Sequence, residues 1–167
     1  MSKHTDPTDP AAVTRDDDAL EVAKRASLGQ VLLRAARLFN EAAIARVNAN
    51  GGPPLRQAHT QLLPHLGREG VRATELARRV GISKQAVGVL LEEMLGWGVV
   101  ERVPDPADGR AQLVRLTEAG EAATLRGLGV LDGLAAELEV ELGEKAMRKL
   151  HKRLAQLVDA LERRSAG

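Results

Sequence analysis

The apolar residues in the first third of the chain recur with the spacing of an α-helix. The pattern predicts one long helix from about Leu20 to Asn48, which ends at the Asn-, Gly- and Pro-rich run 48–54. A second helix is expected from about Leu55 to Leu66, with its end at Gly67 or Gly70. The apolar face of the long helix consists of Leu28, Val31, Leu32, Ala35, Leu38, Phe39, Ala42 and Ile44.

The section from Thr117 to the end of the chain is also predicted to be helical, and it carries two apolar stripes separated by Gly143. Both stripes advance in alternating steps of three and four residues, which is typical of a face that packs against another helix. We expect these stripes to join two copies of the chain, and packing within one chain is the alternative. The stripes are Leu128, Leu131, Ala135, Leu138 and Leu142, and then Met147, Leu150, Leu154, Leu157 and Leu161.

The middle of the chain has the pattern of a helix-turn-helix. Ala77 is small enough for a close helix contact, and Gly81 tolerates the positive φ of a tight turn. Val87 and Leu90 follow as branched anchors on the second helix. Two such helices meeting at a glycine are also common in ordinary helical cores, so the pattern needs support from its surroundings.

The flanks of this motif add that support. Thr74 and Ser83 are expected to cap its two helices, and Trp97, just after the second helix, is expected to pack in the core. Two runs with strand character follow at 99–103 and 112–116, and the turn-rich connection 104–111 has the dipeptide Asp108-Gly109 at its tip. A helix-turn-helix followed by a hairpin is the winged-helix arrangement.

We therefore predict a mainly α fold with a small β-hairpin wing. A winged helix-turn-helix lobe at 55–116 lies between an N-terminal dimerisation helix at 20–50 and C-terminal dimerisation helices at 117–167. The chain of 167 residues has no Cys, which excludes disulfides, thiolate zinc sites and cysteine redox sensing. No apolar run is long enough to cross a bilayer, so we expect a cytoplasmic protein without a membrane partner.

The net charge of +1 conceals an asymmetry along the chain. Residues 1–19 hold two basic and five acidic residues, which leaves a net charge of +4 for the remainder. This acidic tail lacks periodicity and is expected to be disordered. It is either an inert solubilising segment or a shield that competes with DNA for the basic face.

The stretch from about Leu55 to Gly120 resembles the MarR family of bacterial transcriptional regulators. The wing carries the family's Asp-x-Arg at Asp108 and Arg110, followed by Leu116-Thr-x-x-Gly120. The segments Glu75-Leu-Ala, Gly81-Ile-Ser and Gly98-Val-Val-Glu-Arg102 also stand where the family has them. The resemblance implies a homodimer that binds a pseudo-palindromic site on double-stranded DNA, usually as a repressor. Its recognition helices would lie about 34 Å apart.

Several residues are candidates for DNA contacts. Gln85 suits adenine in the major groove, and Lys84 suits guanine or phosphate. Ser83 at the helix start is a candidate for phosphate, and Thr74 is a further DNA-binding candidate. Gly88 either lets the helix lie close to the groove or serves helix packing.

The wing and the first motif helix supply further candidates. Arg110 is expected to enter the minor groove, where a guanidinium can respond to the groove's width and potential. Asp108 is expected to pair with Arg110 or with another arginine and so to orient the wing. Arg78 and Arg79 either contact phosphate or only solvate their helix.

The signal that controls such a regulator is less evident. The resemblance implies small aromatic or anionic effectors held between the lobe and the dimer helices, yet the chain has only Phe39 and Trp97 as aromatic residues. His59 is the one candidate for a ligand contact. His59 and His65 lie six residues apart, on nearly opposite faces of the predicted second helix, so we expect neither a metal site nor a cofactor.

Features of an enzyme are missing from the sequence. It has no Cys nucleophile, no Gly-rich phosphate loop after a strand and no His-Glu-x-x-His pattern, so we expect no catalytic activity. The alternative from another class is a winged-helix adaptor that acts through a protein partner. Binding to DNA should weaken steeply with salt, whereas an apolar protein interface should not.

Overall fold

A computed structural model of the chain describes residues 10–165, which form helices and one β-hairpin. The chain divides between Ala42 and Ala43 into two units, of which the second contains the hairpin. In chain order the elements are α1 (Pro10–Ala26), α2 (Leu28–Ala49), α3 (Gln57–Thr60), a 3₁₀ turn (Leu63–His65), α4 (Ala73–Val80), α5 (Lys84–Gly96), β1 (Val100–Asp105), β2 (Asp108–Leu116), α6 (Glu118–Leu142) and α7 (Glu144–Ser165).

The N-terminal section differs from the sequence prediction in two ways. Helix α1 begins at Pro10, inside the segment 1–19 that we expected to be disordered, and residues 1–9 of that segment lie outside the described residues. Proline suits the first turn of a helix, where its missing N–H is not needed. The prediction of one helix from Leu20 to Asn48 is also wrong, because the helix breaks at Ser27. Ser27 and Gly29 both have lower helix propensity than the residues around them.

The predicted helix from Leu55 to Leu66 is replaced by two short turns, α3 and the 3₁₀ turn. Pro64 has no N–H to donate to the Thr60 carbonyl, and its ring would clash with that carbonyl in a continuous α-helix. The Arg56 N–H donates to Nδ1 of His59 at 3.1 Å and so begins α3. His59 and His65 therefore do not share one helix.

The core of the second unit is formed by residues of the helix-turn-helix, the hairpin and the segment that precedes them. Strands β1 and β2 are antiparallel, and Val71 and Val114 add a bridge through two backbone hydrogen bonds of 2.9 Å. Trp97 is partly buried against this core, as predicted. The buried core residues are Leu62, Leu66, Val71, Leu76, Ala77, Val87, Leu90, Leu91, Met94, Val100 and Val114.

Thr117 fixes the start of α6 against the hairpin. Its hydroxyl accepts the Gly120 N–H at 2.9 Å and donates to the Gly98 carbonyl at 2.7 Å. The backbone at Gly120 lies so close to Val99 that a Cβ there would come within 1.8 Å of the Val99 carbonyl oxygen. The Leu-Thr-x-x-Gly pattern thus combines a helix cap with a site of close backbone packing.

The C-terminal helices agree with the predicted break, since α6 ends and α7 begins at Gly143. Helix α7 contains no buried residue, although it carries the second apolar stripe. None of the helices within residues 10–165 is long and apolar enough to cross a membrane. The predicted fold class, mainly α with a small hairpin wing, is confirmed.

Candidate nucleic-acid interface

The helix-turn-helix is formed as the sequence predicts. Gly81 ends α4 in the left-handed conformation with a φ of 75°. The N–H groups of Gly81 and Ile82 both donate to the Ala77 carbonyl, at 2.9 and 3.2 Å. Val87 and Leu90 on α5 are buried in the same cluster as Ala77, so the small residue and the branched anchors meet at the helix contact.

The two predicted caps have different outcomes. The Ser83 hydroxyl accepts the Ala86 N–H at 3.1 Å and caps α5, as predicted. The prediction that Thr74 caps α4 is wrong, because Arg72 occupies the cap position and the helix begins at Ala73. Thr74 is instead an exposed residue in the first turn of α4, since the helix is capped two residues earlier, at the extended backbone of Arg72.

Helix α5 turns a polar face to solvent. Its buried residues Val87, Leu90, Leu91 and Met94 define the inward side. With a step of about 100° per residue, Gln85 lies nearly opposite that side and Lys84 lies on the flank. Both are exposed. A Cβ added at Gly88 would meet no atom within 4 Å, so helix packing within the chain does not explain this glycine.

The tip of the wing lies two residues before the predicted Asp108-Gly109. Asp105 pairs with Asp108 across the hairpin, which makes Pro106-Ala107 the turn. The turn closes because Asp105 Oδ1 accepts the Ala107 N–H at 2.8 Å and Pro106 fixes its own φ. The prediction of a loop over 104–111 is therefore wrong, since most of that segment belongs to the two strands.

Arg110 lies in an irregular part of the wing. Pro104 pairs with Gln112 and the next residue pairs with Asp108, so 109–111 have no partner opposite and bulge from β2. Arg110 is exposed in this bulge, and its N–H donates to Asp108 Oδ1 at 3.2 Å. The wing therefore presents the Arg110 side chain to solvent.

The arginine that pairs with Asp108 is Arg72. Its Nη2 lies 3.5 Å from Asp108 Oδ2, and its Nε donates to Asp105 Oδ2 at 2.6 Å. The Ala107 N–H and the Arg72 guanidinium together hold the pKa of Asp105 below its usual range. Arg72 was not among the predicted site residues, because nothing in its local sequence connects it with carboxylates more than thirty residues later.

Charge pairing separates the cations of the lobe into two groups. Residues 55–116, all of them described by the structure, contain nine Lys and Arg residues. Within this range Lys84 and Arg110 are the two for which the structure shows no ion pair. The ion pairs of the other seven are Arg56–Glu93, Arg68–Glu121, Arg72–Asp105, Arg78–Glu75, Arg79–Glu75, Arg102–Glu92 and Arg115–Glu101.

Arg78 and Arg79 share one carboxylate. Both donate to Glu75 at 2.7 to 2.8 Å. The hydrogen bonds from Arg78 and then from Arg79 lower the pKa of Glu75 to about 2. One carboxylate on α4 therefore partly neutralises both arginines, which favours the interpretation that they solvate this helix.

His59 is buried and its ring nitrogens both have partners inside the protein. Nδ1 accepts the Arg56 N–H, so the proton of the neutral ring lies on Nε2, which donates to Glu93 Oε2 at 3.0 Å. The Trp97 ring packs edge-on against the His59 ring, with 4.7 Å between the ring centroids. Burial lowers the pKa of His59. This geometry does not support His59 as a ligand contact. Among the described residues, no group of three or more His, Asp and Glu is arranged to hold a metal.

Comparison with known proteins agrees with this geometry. The sequence model of the MarR family matches residues 54–111, which cover most of the lobe. None of the curated proteins compared with the chain matches it. The reduced form of MarR from E. coli has a TM-score of 0.67 over 78% of this chain and 96% of that chain, at 22% identity, which shows the shared fold.

Two further structures are slightly closer in sequence. The Mycobacterium tuberculosis MarR family protein Rv2887, solved with salicylic acid, is 26% identical, with a TM-score of 0.62 over 79% of this chain and 96% of that chain. The transcriptional repressor CouR, bound to a 23-mer DNA duplex, is 26% identical, with a TM-score of 0.59 over 79% of this chain and 92% of that chain. The lobe therefore matches the MarR family, and the chain shares the fold of the winged helix-turn-helix transcriptional regulator MarR.

Proposed function

We propose that this protein binds double-stranded DNA sequence-specifically, as a homodimer at a pseudo-palindromic operator, and represses transcription there. The observation that carries the proposal is the isolation of Lys84 and Arg110 from any ion pair in a lobe whose other Lys and Arg residues are all paired. A cation without an internal partner can neutralise a DNA phosphate without first breaking an ion pair. The DNA duplex bound to CouR supports the same function for this fold.

We infer a role for each contact residue from its type and its exposed position. Gln85, nearly opposite the buried side of α5, faces the floor of the major groove and suits adenine. Lys84 on the flank and Ser83 at the helix start suit phosphates or, for Lys84, guanine. Arg110 enters the minor groove from the wing. Thr74 in the first turn of α4 adds a phosphate contact.

The apolar stripes support a homodimer. Leu128 and Leu142 on α6 and Leu150 and Leu161 on α7 are exposed within one chain. Since α7 has no fully buried residue, packing within the chain leaves much of its stripe exposed. A two-fold dimer would place the two α5 helices about 34 Å apart, one turn of DNA, and would require a near-palindromic site.

Control by a small aromatic acid is the last part of the proposal. The salicylic acid complex of Rv2887 supports this class of effector. His59 has no free ring nitrogen to offer such a ligand, so other residues would hold it. Salicylate titrated into the protein–operator complex should release the DNA if the proposal is right, and unchanged affinity at millimolar salicylate would remove this effector class.

The first experiment is selection of DNA fragments that the protein binds from the source genome. It is done at about 150 mM salt, which screens nonspecific electrostatic contacts. The native protein should recover a pseudo-palindromic sequence, and Arg110→Ala should recover none while keeping its helical circular dichroism. Arg79→Ala is the matched control, because it also removes one exposed arginine but one already paired with Glu75. Failure of the native protein to recover any site would contradict the proposed function.

A further inference from the structure

Val89 stands apart from the other apolar side chains of the lobe. Within residues 55–116, all of them described, it is the one large apolar residue that is exposed, at 55%. The other exposed apolar residues of comparable size within the described residues lie on the terminal helices. No packing role within the chain explains a bare valine on the second helix of the motif.

We propose that Val89 recognises the C5-methyl group of a thymine in the major groove of the operator. The proposal rests on the proposed function and adds a base contact to it. Thymine is the only base that presents a methyl group in the major groove, and apolar side chains are the groups that contact it there. One valine would thus distinguish an A·T pair with its thymine on the contacted strand from the other base pairs.

The position of Val89 on α5 favours this partner. It lies one helical turn after Gln85 and about 40° from it around the helix axis, on the side opposite the core. Gly88 beside it carries no side chain and has open space, so the helix backbone can come close to the bases. A β-branched valine has one strongly preferred rotamer in a helix, which holds its methyl groups in a fixed direction.

The surroundings of Val89 do not suit an apolar protein partner. Its exposed neighbours one turn away on α5 are Gln85, Ala86 and Glu92, so Val89 is the one large apolar group there and forms no extended apolar patch. Glu92, which would repel phosphate, pairs with Arg102. A single apolar group between polar ones fits the mixed surface of a base pair, which alternates hydrogen-bonding groups with an isolated methyl group.

The test uses the duplex recovered by the fragment selection, with each thymine replaced in turn by deoxyuridine. This replacement removes only the methyl group and keeps the hydrogen-bonding pattern. Affinity is measured by fluorescence anisotropy at fixed salt for the native protein and for Val89→Ala. At one thymine in each half-site, deoxyuridine should weaken native binding about three- to tenfold and leave Val89→Ala unaffected.

Two controls separate the outcomes. Deoxyuridine at all other thymines should affect both proteins equally, and circular dichroism should show that Val89→Ala keeps its helix content, since the side chain packs against nothing in the core. If the native protein and Val89→Ala respond alike at every thymine while both bind the duplex, the Val89 contact is refuted and the proposed function stands. If the native protein binds no duplex, the proposed function itself fails.

Discussion

Arg72 donates from Nε to Oδ2 of Asp105 at 2.6 Å and thereby joins the start of the helix-turn-helix to the tip of the wing. The same guanidinium lies 3.5 Å from Asp108 Oδ2, on the other strand. Asp105 is buried and also accepts the N–H of Ala107 in the turn. One arginine therefore holds both strands near the point from which Arg110 projects, and we expect the orientation of the wing to depend on Arg72.

Arg72→Gln should loosen the wing and weaken operator binding about tenfold, a loss of about 1.4 kcal/mol. The unpaired Asp105 carboxylate would also regain a higher pKa, so that acid unfolding would begin at a higher pH. In the native protein its pKa is lowered, and its contribution to stability is lost only as the pH falls below the ordinary value of 3.8. Anisotropy and acid titration followed by circular dichroism measure the two effects.

The control for Arg72→Gln is Arg68→Gln, which breaks an exposed pair with Glu121. Exposed pairs contribute little, about 0 to 1 kcal/mol, so this variant should keep native affinity and stability. Equal behaviour of the two variants would show that the pairing of Arg72 does not position the wing.

Gly120→Ala should destabilise the protein by about 1–3 kcal/mol, because its methyl group would overlap backbone that has to move. The Cβ would lie 1.8 Å from the Val99 carbonyl oxygen. Gly127→Ala on the same helix is the control, since its Cβ meets nothing within 4 Å. That variant should gain about 0.5–1 kcal/mol from the helix preference of alanine. Urea unfolding of both variants measures the difference, and equal signs would contradict the close packing at Gly120.

Local signals in the sequence were sufficient to predict the elements that depend on them. Gly81 and Ser83 each act through backbone atoms within four residues, and the structure confirms both. The helix predicted from 55 to 66 was wrong because its apolar spacing does not reveal the constraint that Pro64 places on the preceding backbone. The spacing of apolar residues predicts which side of a helix is buried. A single proline can interrupt that helix without changing the spacing.

For the candidate site, the sequence likewise predicted the local features and missed the long-range ones. Lys84, Gln85 and Arg110 could be proposed from residue type and order, and the structure leaves all three exposed. The pairing of Arg72 with Asp105 connects residues far apart in sequence, and only the folded hairpin brings them together. Val89 was missed because the sequence does not show whether a valine on α5 is buried or exposed. This becomes clear only when the structure shows which side of α5 packs against the core.

Gly88→Ala should weaken operator binding severalfold while stabilising the free protein. Alanine in a helix interior is favoured over glycine by about 0.5–1 kcal/mol, and open space surrounds the added Cβ. A lower affinity in a more stable protein would show that the groove approaches the backbone at this point. Gly96→Ala, in the last turn of α5 and equally open, is the control and should keep native affinity. Unchanged binding by Gly88→Ala would contradict the close approach.

His59 should make the stability of the lobe fall as the pH drops through 6.5. Its pKa in the folded protein is lowered from 6.5, mainly by burial. The unfolded chain therefore takes up the proton first, and unfolding gains up to about 1.4 kcal/mol per pH unit in that window. Urea unfolding at pH 7.5 and 5.5, followed by the fluorescence of Trp97, measures the slope.

The variant His59→Gln should lose this slope, and His65→Gln, which retains His59, should keep it. Trp97 is the only Trp in the chain and contacts the His59 ring, so its emission reports on this part of the core. A slope that survives in His59→Gln would assign the pH dependence to other groups.

Leu154→Glu should convert the proposed dimer to a monomer. Leu154 lies in the second apolar stripe and is 37% exposed within one chain. The monomer should therefore tolerate a charge at this position, whereas an apolar interface between the α7 stripe and a second copy, here called the seam, should not. Val140→Glu is the matched control, because Val140 is 88% exposed and lies outside both stripes. Sedimentation velocity should show dimers for the native protein and Val140→Glu, and monomers for Leu154→Glu.

Operator binding should follow the same order. A dimer binds its second half-site as an intramolecular step, so loss of the seam should lower affinity for the full operator by about a hundredfold or more. Affinity for an isolated half-site should change little, because α5 and the wing lie far along the chain from Leu154. A native protein that sediments as a monomer, or a Leu154→Glu variant that remains a dimer, would show that the α7 stripe is not the seam.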